Sequence, residues 1–506
     1  MTFNYDQASA LGVTLTNTKG RISSQSTAGA APTGAVFSYD LMGRVVDNSQ
    51  CTPQNCGASV FAFQYPQYDL AGDLLSATNA VGITFNYAYD AAARLTTMST
   101  NFVDGSHPGT LFSNAQYGPL GLTSATLGNG LSETLGYMYR GWLKSYSATS
   151  GTTTRYSFSV GTFALNGDIL AANDSVNGNW TYTYDAFNRI IGSNQNSGQA
   201  VYSYDYDRFG NRWHQNGPHS SSLAFGATNR ILSGSGVSYD SAGNMTADGS
   251  HTYSYDAENR LISVDGGSTA AHVYNAAGRR VRKTTSSAGS VDFLYDLGGH
   301  EVAEVGPGGV FNRGELYAGS RHLATYTAGQ SGSTFFTHSD WLGTERARTD
   351  VSGALAESCT SLPFGDALTC SSADISPMHF TGDEHDSETS LDHTWFRQYS
   401  SQFGRWTSPD RLRGSLLNPQ SLNRYTYVAN NTLRFIDRTG LLLQGNGCLM
   451  SGYLGGGNFF CDFGTLVFGN DIFDAIGGSP GTFLSLDIYG HLSFGFSPNL
   501  WTATWN

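Results

Sequence analysis

Lysine is almost missing from this 506-residue chain: only Lys19, Lys144 and Lys283 occur. Charged residues of both signs make up 13%, about half of the ~25% usual in soluble domains. The balance is acidic, −13 at pH 7, which argues against a basic face for nucleic acid. No run of 18 or more apolar residues exists, so no helix is expected to span a membrane. Met1 to Asp6 carries neither the basic region nor the apolar core of a signal peptide. The chain opens already inside a Tyr-Asp unit, Tyr5-Asp6, and reads as a fragment of a longer, exported polypeptide. Long amphipathic helix patterns are also missing. No Ser-His-Asp, phosphate-loop or dinucleotide pattern stands in a supporting context, and no cofactor is expected.

What the chain has is glycine, tyrosine and phenylalanine, at 62, 28 and 29 residues, and a repeat. Tyr39-Asp40-Leu41-Met42-Gly43-Arg44 returns at Tyr68, Tyr184, Tyr206, Tyr239, Tyr255 and Tyr274, with weaker copies at Tyr89, Tyr117, Tyr139, Phe163 and Phe225. Successive starts lie 14 to 29 residues apart. A recurrence on this scale marks stacked supersecondary units sharing one core. Alternating aromatic and small polar residues, such as Trp180-Thr181-Tyr182-Thr183-Tyr184, precede each Asp and read as a strand. The Asp opens a turn. Three residues after it stands Gly or Asn, two residues that share tolerance of positive φ. Each unit is therefore read as a strand, a left-handed turn and a second strand, and the chain as all-β.

Six cysteines fall into sequence-local pairs: Cys51 with Cys56, Cys359 with Cys370, and Cys448 with Cys461. Local disulfides in an oxidising compartment are the preferred reading, free cytosolic thiols the alternative. A metal site is disfavoured, because no Cys-x-x-Cys or nearby His pair supplies a tetrahedral set.

The repeats resemble the YD repeats of bacterial RHS proteins, Tc-toxin C subunits and teneurins. From Phe335 the texture changes, and an ordered series of matches follows: His338, Asp340-Trp341-Leu342-Gly343 and Arg346, then Pro363-Phe364-Gly365, Phe380-Thr381-Gly382 and Phe396-Arg397-Gln398-Tyr399. Gly404-Arg405-Trp406, Ser408-Pro409-Asp410, Leu422-Asn423, Tyr425, Tyr427-Val428, Asn430-Asn431 and Asp437-Arg438-Thr439-Gly440-Leu441 complete it. This series resembles the RHS repeat-associated core domain. The resemblance implies a long spiralling β-sheet forming a hollow shell over residues 1–335, a core plug over 336–441, and a variable tail over 442–506.

The resemblance also implies self-cleavage of the Leu441–Leu442 bond by an aspartic-type pair, Asp410 and Asp437. Two carboxylates held close share a proton, so one can act as base and the other as acid. Arg405 or Arg411 is expected to orient the pair. Two departures bear on this: Arg438 stands where the family usually has Pro, and Thr432 where Asn-Asn-Pro is usual. Losing both prolines is expected to loosen the loop presenting the bond. Without the resemblance, Asp410 and Asp437 read as turn or capping carboxylates. His338 and His393 read as structural, and Asp383-Glu384-His385-Asp386 as a solvated loop rather than a metal cluster.

Two functions of different kinds remain. One is a toxin shell whose cargo is its own C-terminal segment, served by a cap, a delivery protein or a further N-terminal part. The other is an extracellular structural or adhesive protein without catalysis. The tail carries Asp462, Asp471, Asp474, Asp487 and His491 but no Lys, Arg or Glu. That composition disfavours a nuclease, which needs cations against phosphate. It leaves a small membrane-active or other non-nucleolytic effector, or a degenerate remnant packed on the shell.

Overall fold

The computed structural model describes residues 1–441 and 443, apart from 197, 329–331, 373, 413 and 417. It also describes the backbone of 444–445 and of two tail strands, Thr482–Leu486 and Leu492–Phe496, which pair antiparallel. Among the described residues the helical content is six 3₁₀ turns of three or four residues. Everything else regular is strand.

A first sheet of 19 strands runs from Thr2–Tyr5 to Ser221–Ser222. From Ile22–Thr27 onward each strand pairs antiparallel with its successor in the chain. A two-stranded hairpin, Val237–Tyr239 with Met245–Asp248, follows. A second sheet of 12 strands then runs from Tyr253–Tyr255 to Thr369–Cys370, continuing past residue 335 in the same successive manner.

One turn shows why the repeat has its spelling. Asp185 Oδ1 accepts the N–H groups of Phe187 and Arg189, at 2.9 and 3.0 Å. Its Oδ2 accepts Arg189 Nε at 2.7 Å. The residue between them, Asn188, has φ 62°. The other six full copies place Gly43, Gly72, Gly210, Gly243, Asn259 and Gly278 at positive φ as well, as the Gly/Asn alternation predicts. The Arg then reaches forward: Arg189 lies 4.6 Å over the Tyr206 ring of the next repeat. The Tyr206 hydroxyl reaches back to donate to Ile190 O at 2.6 Å. The same pair of links joins Arg44 to Tyr68 and Arg260 to Tyr274. Tyrosine adds to what phenylalanine would give here, because its hydroxyl closes the backward link.

Alternation along each strand puts one face inside. In Phe61–Tyr68, Phe63 and Tyr65 are buried while Ala62, Gln64 and Pro66 are exposed. The inner faces of the two sheets pack on each other. Tyr39, Val45, Phe63 and Tyr65 meet Leu294, Ala303 and Val305. A larger cluster joins Phe112, Tyr156 and Ile190 to Leu323, Phe336 and Phe364. Burial on this scale contributes roughly 1.5–3 kcal/mol per large side chain.

The turn survives where the sequence period fades. Asp340 Oδ1 accepts the N–H groups of Leu342 and Thr344, and Gly343 has φ 85°. Disulfides join Cys51 to Cys56 and Cys359 to Cys370. Cys448 and Cys461 lie outside the described residues.

The segment after residue 380 folds as a four-stranded sheet, Glu384–Asp386, Leu391–His393, Gln398–Ser400 and Arg405–Trp406, followed by an irregular stretch to Leu441. Its seat, on the first sheet and the hairpin that follows it, coincides with a change in the repeat. Two copies end in Asn211 and Asn244 instead of Arg. Asn423 donates to Asn211 Oδ1 and Phe209 O, at 2.8 and 3.1 Å. Asn430 donates to Gly210 O, and Tyr425 to Gly243 O, each at 2.8 Å. A Cβ on Gly243 would sit 2.6 Å from the Tyr425 hydroxyl.

Candidate carboxylate site

The sequence-predicted carboxylates meet at one guanidinium. Arg397 Nη2 donates to Asp410 Oδ2 at 2.8 Å and to Asp437 Oδ2 at 3.3 Å. The third strand of the small sheet ends its approach at this arginine, whose plane lies 4.1 Å over Trp406. Trp406 is itself buried against Tyr399 and Tyr427. Arg397 also donates from Nη1 to Arg424 O at 3.2 Å and from Nε to Gly440 O. One side chain thus ties together Ser-Pro-Asp410, Arg424 and the loop ending at Leu441.

Asp437 organises that loop. Its Oδ1 accepts the N–H groups of Gly440 and Leu441, at 2.8 and 3.0 Å, and the Thr439 hydroxyl at 3.2 Å. Gly440 has φ 78°, and a Cβ there would sit 2.5 Å from Thr394 Oγ1. Only glycine fits both demands. The Thr439 carbonyl accepts from Phe396 N–H at 3.0 Å. Beyond Leu441 the backbone turns back, and Gln444–Gly445 pairs with Phe435–Ile436. Leu442 lies outside the described residues.

Burial pushes the Asp410 carboxyl above its usual value, with Arg397 opposing the shift and the neighbouring Asp437 adding to it. Burial also lowers Arg397. Asp410 is therefore a carboxyl more readily protonated than a solvated one.

Neither arginine expected to orient the pair does so. Arg405 donates to Asn229 O and stacks 4.8 Å over Phe225 and 4.9 Å over Tyr425. Arg411 donates to Glu258 O and lies 5.5 Å over Phe396. Both pin the segment to the repeats; Arg397 takes the central place. The only signal for it in the sequence is its position in Phe396-Arg397-Gln398-Tyr399.

Both residues that depart from the family pattern have neighbours of their own. Thr432 is fully buried and donates to Pro363 O. The Arg438 guanidinium lies beside Gly382 and lowers the carboxyl of Asp383, which burial raises strongly. The solvated-loop reading of Asp383 to Asp386 is wrong. Glu384 and Asp386 are buried and pair with Arg280 at 2.6 Å each, and Lys283 reaches Asp386 at 2.8 Å. Sequence reasoning missed this because the partner cations lie about a hundred residues upstream. His338 is buried between Tyr146 and Thr349, and burial lowers it to about 4. Gln398 donates to His393, which burial lowers to about 3.

Set against known proteins, residues 140–433 match the family described as Teneurin YD-shell. The tRNA3(Ser)-specific nuclease WapA of Bacillus spizizenii is 27% identical over 273 residues, 51% of this chain and 12% of that protein. Teneurin-1 of Gallus gallus is 25% identical over 284 residues, 52% of this chain and 10% of that protein. The crystal structure of TcdB2-TccC3 superposes with a TM-score of 0.70 at 18% identity, covering 87% of this chain and 27% of that one. That likeness is one of fold. The chain spans 10% to 27% of the lengths of these three.

Proposed function

This chain belongs to the Teneurin YD-shell family, and from that premise we propose that it works as part of an RHS-type toxin shell that holds its own C-terminal segment and cuts the chain after Leu441. In this reading residues 1–335 form the wall, 336–441 the plug, and 442–506 the cargo or its remnant. The protein is exported, with a cap, a delivery protein or a further N-terminal part as partner. Among the described residues no helix is long and apolar enough to cross a membrane.

One observation carries the cleavage: Asp437 grips the N–H of Leu441 while sharing Arg397 with Asp410. In the proposed step Asp410 carries the proton and Asp437 serves as the base. Asp437 takes a proton from water as its oxygen bonds to the Leu441 carbonyl carbon. The Leu441–Leu442 C–N bond then breaks, and a carboxyl proton passes to the departing amine. Arg397 on Gly440 O holds the loop in register through the step. Because Gln444–Gly445 pairs with Phe435–Ile436, the new N-terminus would remain docked after cutting.

A second reading, an extracellular structural or adhesive shell, is favoured by the same arginine. A guanidinium bonded to both carboxylates is also a finished clamp, needing no reaction. The intact mass of the purified full chain in denaturant separates the two. Two fragments meeting at Leu441–Leu442, with Asp410→Asn and Asp437→Asn each staying whole, support cleavage. Wild-type protein that stays full-length leaves the clamp.

A further inference from the structure

Cys359 and Cys370 face each other across the last antiparallel pair of the second sheet, and a histidine from the next segment closes over them. The sulfur atoms and a ring nitrogen of His379 all lie within 4.8 Å of one another. His379 is 2% exposed. Its Nε2 is 3.3 Å from Asp374 Oδ1, and its Nδ1 is buried with no hydrogen-bond partner. An orphaned nitrogen in such a place costs ~1–3 kcal/mol unless something uses it. The backbone around it is fixed. His379 N–H donates to Asp383 O at 3.0 Å, and its carbonyl accepts Glu345 N–H at 3.0 Å and Gly382 N–H at 3.1 Å.

We propose that reduction of the Cys359–Cys370 disulfide converts this corner into a zinc site, with both sulfurs and His379 Nδ1 as ligands. A carboxylate on the far nitrogen of a ligating histidine fixes its tautomer and raises its basicity, which is the place Asp374 holds. Two thiolates and a neutral imidazole suit Zn²⁺ and give a site of zero net charge. Mg²⁺ and Ca²⁺ prefer oxygen. Ligands at Zn–S ~2.3 Å and Zn–N ~2.0 Å lie roughly 3.5–3.8 Å apart in a tetrahedron, so the two sulfurs, bonded in the oxidised protein, must part by roughly 1.7 Å on reduction while the histidine nitrogen closes by about 1 Å at most. Cys370 is half-buried, which gives water a route to a fourth position.

The chemistry balances with a thiol reductant. Two external thiols become one external disulfide, and Cys359 and Cys370 each gain a hydrogen. Zn²⁺ then displaces a proton from each, releasing two. The same two strands are thereby clamped in an oxidising compartment by sulfur–sulfur bonding and in a reducing one by metal. That use rests on the exported-shell reading; the site itself does not.

The test uses the full chain with Cys51, Cys56, Cys448 and Cys461 changed to Ser, reduced with a phosphine without oxygen and titrated with Co²⁺ as the probe. One equivalent giving a thiolate-to-cobalt absorption band, reversed by Zn²⁺ and missing from the oxidised protein, is expected. His379→Gln should weaken binding at least tenfold, and Asp374→Asn about tenfold. The second variant decides the matter if the first does not fold. No band, equal affinity in a folded variant, or reduced protein that loses its β spectrum and does not regain it with Co²⁺ overturns the proposal.

Discussion

The two sheets repeat the same hairpin and share its Tyr and Arg links, as at Arg260 and Tyr274, but they differ in what they carry inside. The first links unit to unit through Tyr hydroxyls and stacked Arg on its rim, over an interior rich in aromatic and aliphatic side chains. The second carries charge inward. Arg348 is 1% exposed between Glu345 and Glu357; Glu315 and Glu345 flank His322; Arg280 meets Glu384 and Asp386. The first is an extendable wall. The second is a junction, whose Arg280 takes partners about a hundred residues away. Buried charge of this kind gives little net stability when complete and costs much when broken. It therefore favours one arrangement of the end piece over others.

Breaking that contrast should show first at Arg348. Arg348→Met leaves Glu345 and Glu357 buried together, and the urea midpoint should fall by an amount worth about 3–5 kcal/mol. Arg189→Met on the wall, in a partly exposed pair, should cost within about 1 kcal/mol. Equal losses would remove the distinction.

Acidity sharpens it next. Burial lowers His272 and His338 to about 4 and His393 to about 3. Between about pH 6.5 and those values the unfolded chain takes protons the fold refuses. Stability should fall on acidification through that window, by up to about 1.4 kcal/mol per pH unit for each histidine. His322, opposed by burial but raised to about 9 by Glu345 and Glu315, acts in the other direction. Its contribution is full below about pH 6.5 and is lost as pH rises through 9. Midpoints across pH should therefore peak near 6.5, and His338→Gln should flatten the acid limb.

Restoring the wall's spelling at the seat is a smaller change. Asn211→Arg displaces Asn423 and strands its amide, for a loss of about 1–3 kcal/mol. Protease cleavage near residues 412–422 should accelerate. An unchanged digestion pattern would mean that Asn211 does not mark the seat. The smallest expected effect is Tyr206→Phe, about 1 kcal/mol for one backward hydrogen bond.

What could be read from sequence followed how local its cause is. An Asp that holds its own turn, and a Gly or Asn at positive φ three residues on, are written within six residues. The hairpins, their turns and the two described disulfides were accordingly legible. Arg397 stands in the Phe396-Arg397-Gln398-Tyr399 motif, yet nothing within its neighbourhood says that it joins Asp410 to Asp437. The four residues from Asp383 looked solvated because Arg280 and Lys283 are invisible from there. The seat at Asn211 and Asn244 was legible as a change of letter, but its meaning came only when Asn423 and Tyr425 arrived against it.

The paired links of the repeat have a direction, since each hydroxyl points toward the N-terminus and each guanidinium toward the C-terminus. A unit so built can be copied or deleted whole, because the joint left behind is identical to the one removed. Courses follow after either letter, but asparagine in place of arginine frees the turn to receive a side chain from the end piece, as Asn211 receives Asn423. The address at which the end piece is received spans several courses, since Asn431 also donates to Asp168 at 2.7 Å, so a lineage could change the height of the wall only away from those courses.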